Sequence, residues 1–192
     1  MCNADGNDTD NGRDGSRYQC GTGLEGTLRL VEEAEADLRT RFTPSFIEKT
    51  KRCKESLILP EQILKLPEEA KSRQCGDGGV LCGLWELAEA EKTGFEIDFS
   101  KLALKQETVE ICEFFQLNPY LLTSVGSYLV LTEHGEETLE SLKNAGVPAV
   151  RIGFVKEQNA RTLVNGEETR YLDRPAPDEL SRWWKERKES EE

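Results

Sequence analysis

The sequence contains one histidine, no closely spaced pair of cysteines and no long hydrophobic run. His134 is the only histidine in 192 residues, and no two of the six cysteines form a C-x-x-C pair. Structural zinc sites use clusters of such ligands at short spacing, so we predict no metal site. No segment approaches the roughly 20 apolar residues that a membrane-spanning helix needs. The N-terminus has no basic segment followed by an apolar one, so we expect neither a signal peptide nor a membrane partner.

Positive charge is also scarce. Lysine and arginine total 25 against 37 aspartates and glutamates, which gives a formal net charge of −12. An acidic surface is repelled by nucleic acids and by anionic membranes, so we predict neither as a partner. Disulfides persist mainly in oxidising compartments, and we therefore interpret the cysteines as free thiols of a cytoplasmic protein. Cys82 and Cys112 lie in apolar helical patterns and are expected in the core.

The polarity of the chain is concentrated at its two ends. Residues 1–23 are rich in Asn, Asp, Gly and Ser. Such a segment buries too little apolar surface to offset the entropy of ordering it, so we predict that it is disordered. The rest of the chain is long enough for one domain over 24–187, followed by a charged tail over 188–192.

Helix and strand patterns are mixed along the chain, which predicts a layered α+β domain. Thr43 is expected to cap a helix whose first residue is Pro44, and Asn165-Gly166 indicates a hairpin. Helices are predicted over about 26–42, 61–73, 80–91, 107–115, 136–144 and 178–188, and strands over about 95–99, 128–131 and 149–155. The predicted core includes Leu84, Leu87, Ile111, Phe115, Leu129, Leu131, Val150 and Ile152.

A glycine-rich turn, Gly76, Asp77, Gly78 and Gly79, stands directly before the central amphipathic helix. A helix that begins at such a turn presents free N–H groups and a positive dipole end, so the turn is a candidate phosphate-binding site. The alternative is structural: the glycines let the helix start close against a strand. Asp77 then caps the helix, where its carboxylate would compete with a phosphate.

Other chemically capable side chains fit structural roles better, so no catalytic residue is assigned. Cys75 would have a lowered pKa if it lay near the helix N-terminus, but we expect an exposed bystander. His134 is expected at the surface, and Trp183 and Trp184 are expected to pack the last helix on the sheet. Three glutamates are spaced as the solvated face of a helix rather than as an acid–base pair: Glu86, Glu89 and Glu91.

The span 78–89, GGVLCGLWELAE, resembles a segment of the AIR (aminoimidazole ribonucleotide) synthase-related proteins. These include hydrogenase maturation factors, selenophosphate synthetases and thiamine-monophosphate kinases. The resemblance continues in order over about 24–184, through GFEID at 94–98, LNPY at 117–120 and AGVPA at 145–149. It covers the C-terminal domain of these enzymes, and it implies a three-layer α/β/α domain with a mixed sheet.

The resemblance also implies a parent activity of ATP-dependent phosphoryl transfer. In the family, a separate N-terminal domain dimerises and carries most of the ATP and magnesium site. The turn usually follows a His-Asp pair, whereas Arg73 and Gln74 stand near that place here. The family's hydrogenase-maturation branch ends in a cysteine tail, which this sequence lacks.

We therefore expect a truncated or partner-dependent relative that is inactive alone. It would use ATP and magnesium only with an ATP-binding-domain partner chain, and its uncovered face would bind that partner or another copy. The alternatives are a stand-alone binding module for a phosphorylated small molecule and a catalytically dead interaction protein.

Overall fold

A computed structural model describes residues 16–19, 21–63, 66–156 and 158–191. Within these ranges, no helix combines the length and apolar character needed to cross a bilayer. The described strands form one mixed sheet in the order β2-β4-β1-β5-β3-β6-β7. Neighbouring strands are antiparallel except β3 and β6, which run parallel. The strands are β1 (Ser16–Gln19), β2 (Lys71–Cys75), β3 (Gly94–Asp98), β4 (Ser127–Thr132), β5 (Val150–Lys156), β6 (Arg161–Asn165) and β7 (Glu168–Tyr171).

The described α-helices differ widely in length and lie between the strands and after the last of them. They are α1 (Leu24–Glu33), α2 (Glu35–Leu38), α3 (Pro44–Arg52), α4 (Pro60–Ile63), α5 (Gly79–Glu91), α6 (Gln106–Phe114), α7 (Gly135–Asn144) and α8 (Glu179–Glu191). Short 3₁₀ turns follow α3 at Cys53–Ser56 and β3 at Phe99–Lys101.

Helices cover both faces of the sheet. Successive strand side chains point to opposite faces, and β4 shows the consequence. Leu129 packs with Leu84 of α5, whereas Tyr128 packs with Leu142 of α7. The predicted three-layer α+β fold with a mixed sheet is therefore confirmed. A further apolar cluster joins residues of α1, α3, α6 and α8 away from the sheet.

The prediction of disorder is wrong for part of the N-terminal segment. Ser16–Gln19 forms β1, which pairs with both β4 and β5 inside the sheet. The composition of the polar residues around it gave no sign of this pairing, since the strand is held by backbone hydrogen bonds to distant partners. Residues 1–15 and 20 lie outside the described part of the chain.

The helix predicted over 61–73 is also wrong in its second half. The described part of α4 is Pro60–Ile63, and Lys71–Cys75 instead form strand β2, paired with β4 along its whole length. Pro67 removes a backbone donor between the two segments, which breaks the helical pattern. Pairing with β4 then decides the conformation of a sequence whose own propensity is weak.

The core prediction holds for most of its members. Val150 is the exception, because it begins β5 and remains 37% exposed. The alternation of apolar and polar residues shows which side of a strand faces the core. It does not show where along the strand the covering helix ends. Phe115 and Leu131 are partly buried against the core, and the others are buried: Leu84, Leu87, Ile111, Leu129 and Ile152.

Thr43 caps α3 as predicted, with Pro44 in the first helical position. Its Oγ1 accepts a hydrogen bond from the Phe46 N–H at 3.3 Å. We expect Thr43→Ala to lower the free energy of unfolding by about 1 kcal/mol, because the capping acceptor is lost. Urea denaturation measures this change, and Thr43→Ser, which retains the hydroxyl, is the matched control. Equal stability of the alanine and serine variants would contradict the assignment of the cap.

Candidate functional site: the glycine turn at the start of α5

The turn connects the end of β2 to the start of α5. Gly78 is the N-cap of α5 with φ = 76°, and Gly79 follows with φ = 63°. Both values lie in the left-handed region that glycine adopts without strain. Asp77 is exposed, and no side chain caps the helix. The expectation that Asp77 caps α5 is therefore wrong, because the cap position falls one residue later.

A carboxylate from the far end of the chain occupies the start of α5. The Gly78 N–H donates to Asp178 Oδ2 at 2.9 Å, and this contact is buried. The other oxygen, Asp178 Oδ1, accepts from the Ser181 N–H at 3.1 Å in the first turn of α8. Asp178 itself is only 8% exposed. One buried carboxylate thus holds the N-terminal ends of two helices, where their positive dipole ends favour a negative charge.

The segment after α6 closes the other side of the turn. The Leu81 N–H donates to the carbonyl oxygen of Tyr120 at 3.3 Å. A Cβ placed on Gly79 would lie 2.6 Å from the carbonyl oxygens of both Tyr120 and Leu122. The Gly79 N–H donates back to the Gly76 carbonyl oxygen at 3.1 Å. Backbone groups of the protein therefore stand where a bound molecule would otherwise approach Gly79.

The four predicted residues lie together, and the structure adds Asp178 to them. Gly79 makes a close approach of the kind that the structural alternative describes, but to the loop after α6 rather than to a strand. Whether the turn binds phosphate stays a prediction. The sequence pattern places Asp178 at the start of the last predicted helix, since an Asp directly before an amphipathic run is a usual sign of a helix N-terminus, but it does not link Asp178 to the turn.

The α5 glutamates form ion pairs across to the sheet. Glu86 pairs with Arg73 on β2, and Glu91 pairs with Lys71 on the same strand. Glu89 pairs with Arg161, whose guanidinium carbon lies 4.1 Å from the centroid of the Trp85 ring. These three carboxylates therefore fit the solvated helix face that their spacing predicts. Among the described residues, no group of three or more His, Cys, Asp or Glu is arranged to hold a metal ion.

The cysteines differ from expectation in two places. Cys75 is fully buried rather than exposed, because the last residue of β2 faces α5 and its Sγ approaches Gly83. Cys82 is half-buried rather than in the core, and burial, followed by the nearby Glu86 carboxylate, raises its pKa. Cys112 is buried as predicted, and desolvation, followed by Glu179, raises its pKa to about 12.

This burial predicts an order of thiol reactivity. Thiolate is the reactive form, so a buried cysteine with a raised pKa reacts slowly. In the folded chain near neutral pH, we expect a maleimide to label Cys53 and Cys82 well before Cys112. Peptide mass mapping after timed labelling measures the order, and the urea-unfolded chain, in which these three should react at similar rates, is the control. Early labelling of Cys112 would contradict its placement in the core.

The tryptophans of α8 pack among helices rather than on the sheet. Trp183 is 7% exposed and meets Phe115 edge-on, with ring centroids 5.4 Å apart. Trp184 is partly buried in the same helical cluster. The expectation that they pack against the sheet is wrong, because α8 lies over α6 and its neighbours. His134 is exposed directly before α7, as expected of a surface histidine.

A comparison of the sequence with known protein families agrees with this fold. The chain belongs to the AIR synthase-related proteins, matching the family described as AIR synthase related protein, C-terminal domain, over residues 51–164. No curated protein matches it in sequence.

Several solved structures share the fold. The crystal structure of a HypE–HypF complex matches at 25% identity with a TM-score of 0.63, covering 84% of this chain and 53% of that one. HypE of E. coli, a hydrogenase maturation protein, matches at 22% identity with a TM-score of 0.66, covering 88% and 52%. Thiamine monophosphate kinase from Aquifex aeolicus matches at 20% identity with a TM-score of 0.54, covering 83% and 54%. The chain thus spans about half the length of these structures.

Proposed function

We propose that this chain supplies the C-terminal half of an AIR synthase-related enzyme of ATP-dependent phosphoryl transfer. In this proposal it works only with an ATP-binding N-terminal half on a partner chain, which brings the sites for ATP and magnesium. Family membership supports the parent activity. The match to about half the length of each neighbour supports a second part that carries the remaining sites, and the HypE–HypF complex supports a protein partner. We further propose a cytoplasmic location, supported by the free thiols of Cys53, Cys82 and Cys112.

The observation that carries the proposal is the carboxylate of Asp178 on the Gly78 N–H. The anion position at the start of α5 is filled by the chain itself, so a nucleotide meets no open phosphate site there. An exposed helix terminus contributes about 0.3–1 kcal/mol to binding an anion. Micromolar affinity needs about 8 kcal/mol, and in this proposal another domain supplies the missing contacts. The net charge of −12 further opposes ATP.

We propose that Gly76, Asp77, Gly78 and Gly79 contact phosphate only in the assembled enzyme. The Gly78 N–H already donates its hydrogen bond to the Asp178 carboxylate. A phosphate can accept a hydrogen bond from this N–H only if the carboxylate moves away. A partner domain that contacts α8 would supply the free energy for that movement. In this proposal the turn binds phosphate in the assembled enzyme but not in the separate chain.

A complementation experiment tests the proposal. The chain is mixed with separately produced N-terminal halves of several AIR synthase-related enzymes, and ATP turnover is measured. We expect turnover above the sum of the separate chains in at least one mixture, and none from this chain alone. The Glu137→Ala variant changes an exposed residue of α7, on the opposite face of the sheet from α5, and as the control it should behave like the wild type. Turnover by the chain alone, or no gain in any mixture, would contradict partner dependence.

The alternatives predict different results. A stand-alone module for phosphorylated small molecules would bind inorganic phosphate at the turn, and Gly78→Val would abolish that binding. A catalytically dead interaction protein would bind an N-terminal half without any gain in turnover. NMR titration of the α5 amides with inorganic phosphate separates the first alternative from our proposal, which predicts no saturable shift in the isolated chain.

A further inference from the structure

Strand β7 is an edge of the sheet that the described strands form. Among these strands it stands last in the order, and β6 is its one partner. All four of its residues are exposed, and Tyr171 is 72% exposed. An open strand edge presents free N–H and C=O groups, which can pair with a strand of another molecule.

The register of the β6–β7 hairpin shows which backbone groups face outward. The Leu172 N–H donates to the Arg161 carbonyl oxygen at 2.8 Å, so this pair lies in the hydrogen-bonded phase of the ladder. Antiparallel pairs alternate between bonded and non-bonded positions. Arg170 and Glu168 therefore direct their backbone groups towards β6. Thr169 and Tyr171 direct theirs to the free edge.

We propose that two copies of this chain associate through β7, as antiparallel strands related by a two-fold axis at Thr169. In this register the two Thr169 residues exchange backbone hydrogen bonds across the axis. Glu168 of each copy then lies directly opposite Arg170 of the other. The side chains of Glu168 and Arg170 share one face of the strand, because they are two residues apart. The dimer thus gains two identical pairs of opposite charge.

The charges on β7 favour this register over the register whose two-fold axis lies one residue further along, at Arg170. A two-fold axis at Arg170 also leaves Thr169 and Tyr171 able to bond across the edge. It places Arg170 directly opposite Arg170 of the other copy, however, and like charges in opposed positions destabilise a strand pair. The same Glu and Arg would protect the edge against a partner of unmatched charge. The sequence Glu168-Thr169-Arg170 is thus complementary to itself in one register.

The opposite edge of the sheet distinguishes a closed dimer from a polymer. That edge is β2, whose Lys71 and Arg73 are already paired with glutamates of α5. Pairing of β7 with β2 of another copy would be head-to-tail and would produce an open filament. Pairing of β7 with itself closes at two copies. The predicted species is therefore a dimer and no larger.

Sedimentation velocity of the full chain, from micromolar to millimolar concentration, tests the proposal. We expect a monomer–dimer equilibrium. Arg170→Glu turns two attractive pairs into two repulsive ones and should weaken dimerisation by at least about tenfold. The double variant Glu168→Arg with Arg170→Glu reverses both charges and should return within about threefold of the wild type. Arg174→Glu makes the same charge change on an exposed residue outside β7 and should have no effect.

A second variant tests the backbone pairing independently of charge. Thr169→Pro removes an outward N–H and costs no bond to β6, so it should abolish the dimer while circular dichroism shows an unchanged fold. A monomer at every concentration would overturn the proposal. A dimer that survives Arg170→Glu, or a double variant that stays monomeric, would also overturn it, and so would particles larger than a dimer. This readout is mass rather than ATP turnover, so its failure leaves the proposed function separately testable.

Discussion

Replacing Gly79 by alanine is expected to lower the free energy of unfolding by about 2–5 kcal/mol. Two causes add. The residue has φ = 63°, and a left-handed conformation costs an ordinary L-residue about 1–2 kcal/mol. The new Cβ would also lie 2.6 Å from the carbonyl oxygens of Tyr120 and Leu122. These are backbone atoms, so they must move, and overpacking of this kind costs about 1–3 kcal/mol.

Gly76 in the same turn provides the matched control. It has no positive φ, and a Cβ placed on it would meet no atom within 4 Å. Gly76→Ala should therefore change stability by no more than about 0.5 kcal/mol. Urea denaturation of both variants, followed by circular dichroism, measures the difference. Similar losses in the two variants would show that the turn does not pack against the segment after α6 as described.

Replacing Asp178 by alanine is expected to cost about 2–4 kcal/mol. Ser181 loses the acceptor that caps α8, which contributes about 1 kcal/mol in typical helices. The buried Gly78 N–H loses its partner as well. An unsatisfied donor in a buried position costs about 1–3 kcal/mol. The effect should thus exceed that of removing an ordinary exposed cap such as Thr43.

Asn in place of Asp178 separates the two contributions. Asparagine is as good a helix cap as aspartate, but its amide group has only one acceptor oxygen. Asp178→Asn can therefore keep one of the two hydrogen bonds, and we expect its loss of stability to be about half that of Asp178→Ala. Thermal unfolding followed by calorimetry measures both variants. Equal stability of the alanine variant and the wild type would show that the carboxylate does not link α5 to α8.

Features that depend on neighbouring residues were predictable from the sequence. The Thr43–Pro44 helix start and the hairpin at Asn165-Gly166 were predicted correctly, since their signals lie within a few residues. The start of α5 at the glycine turn was also correct in position. The turn residues, periodicity and order of elements were enough to identify the fold class and the place of the candidate site.

Features that depend on distant partners were not predictable in this way. Strand β1 is short and polar, and only its pairing with β4 and β5 makes it a strand. Strand β2 likewise depends on β4. The contact that closes the candidate site joins Gly78 and Asp178, which are 100 residues apart. No local pattern connects two such positions, so the sequence left phosphate binding and a structural role both open and gave no sign that Asp178 contacts the turn.

Titration calorimetry of magnesium-ATP into the full chain alone tests the central claim, that this chain needs a partner to hold nucleotide. Because Asp178 occupies the Gly78 N–H, the account predicts no saturable heat at micromolar ligand. A helix terminus supplies about 1 kcal/mol of the roughly 8 kcal/mol that micromolar affinity requires. Saturable micromolar binding by the purified chain would contradict the account, since it would show a complete nucleotide site within this chain.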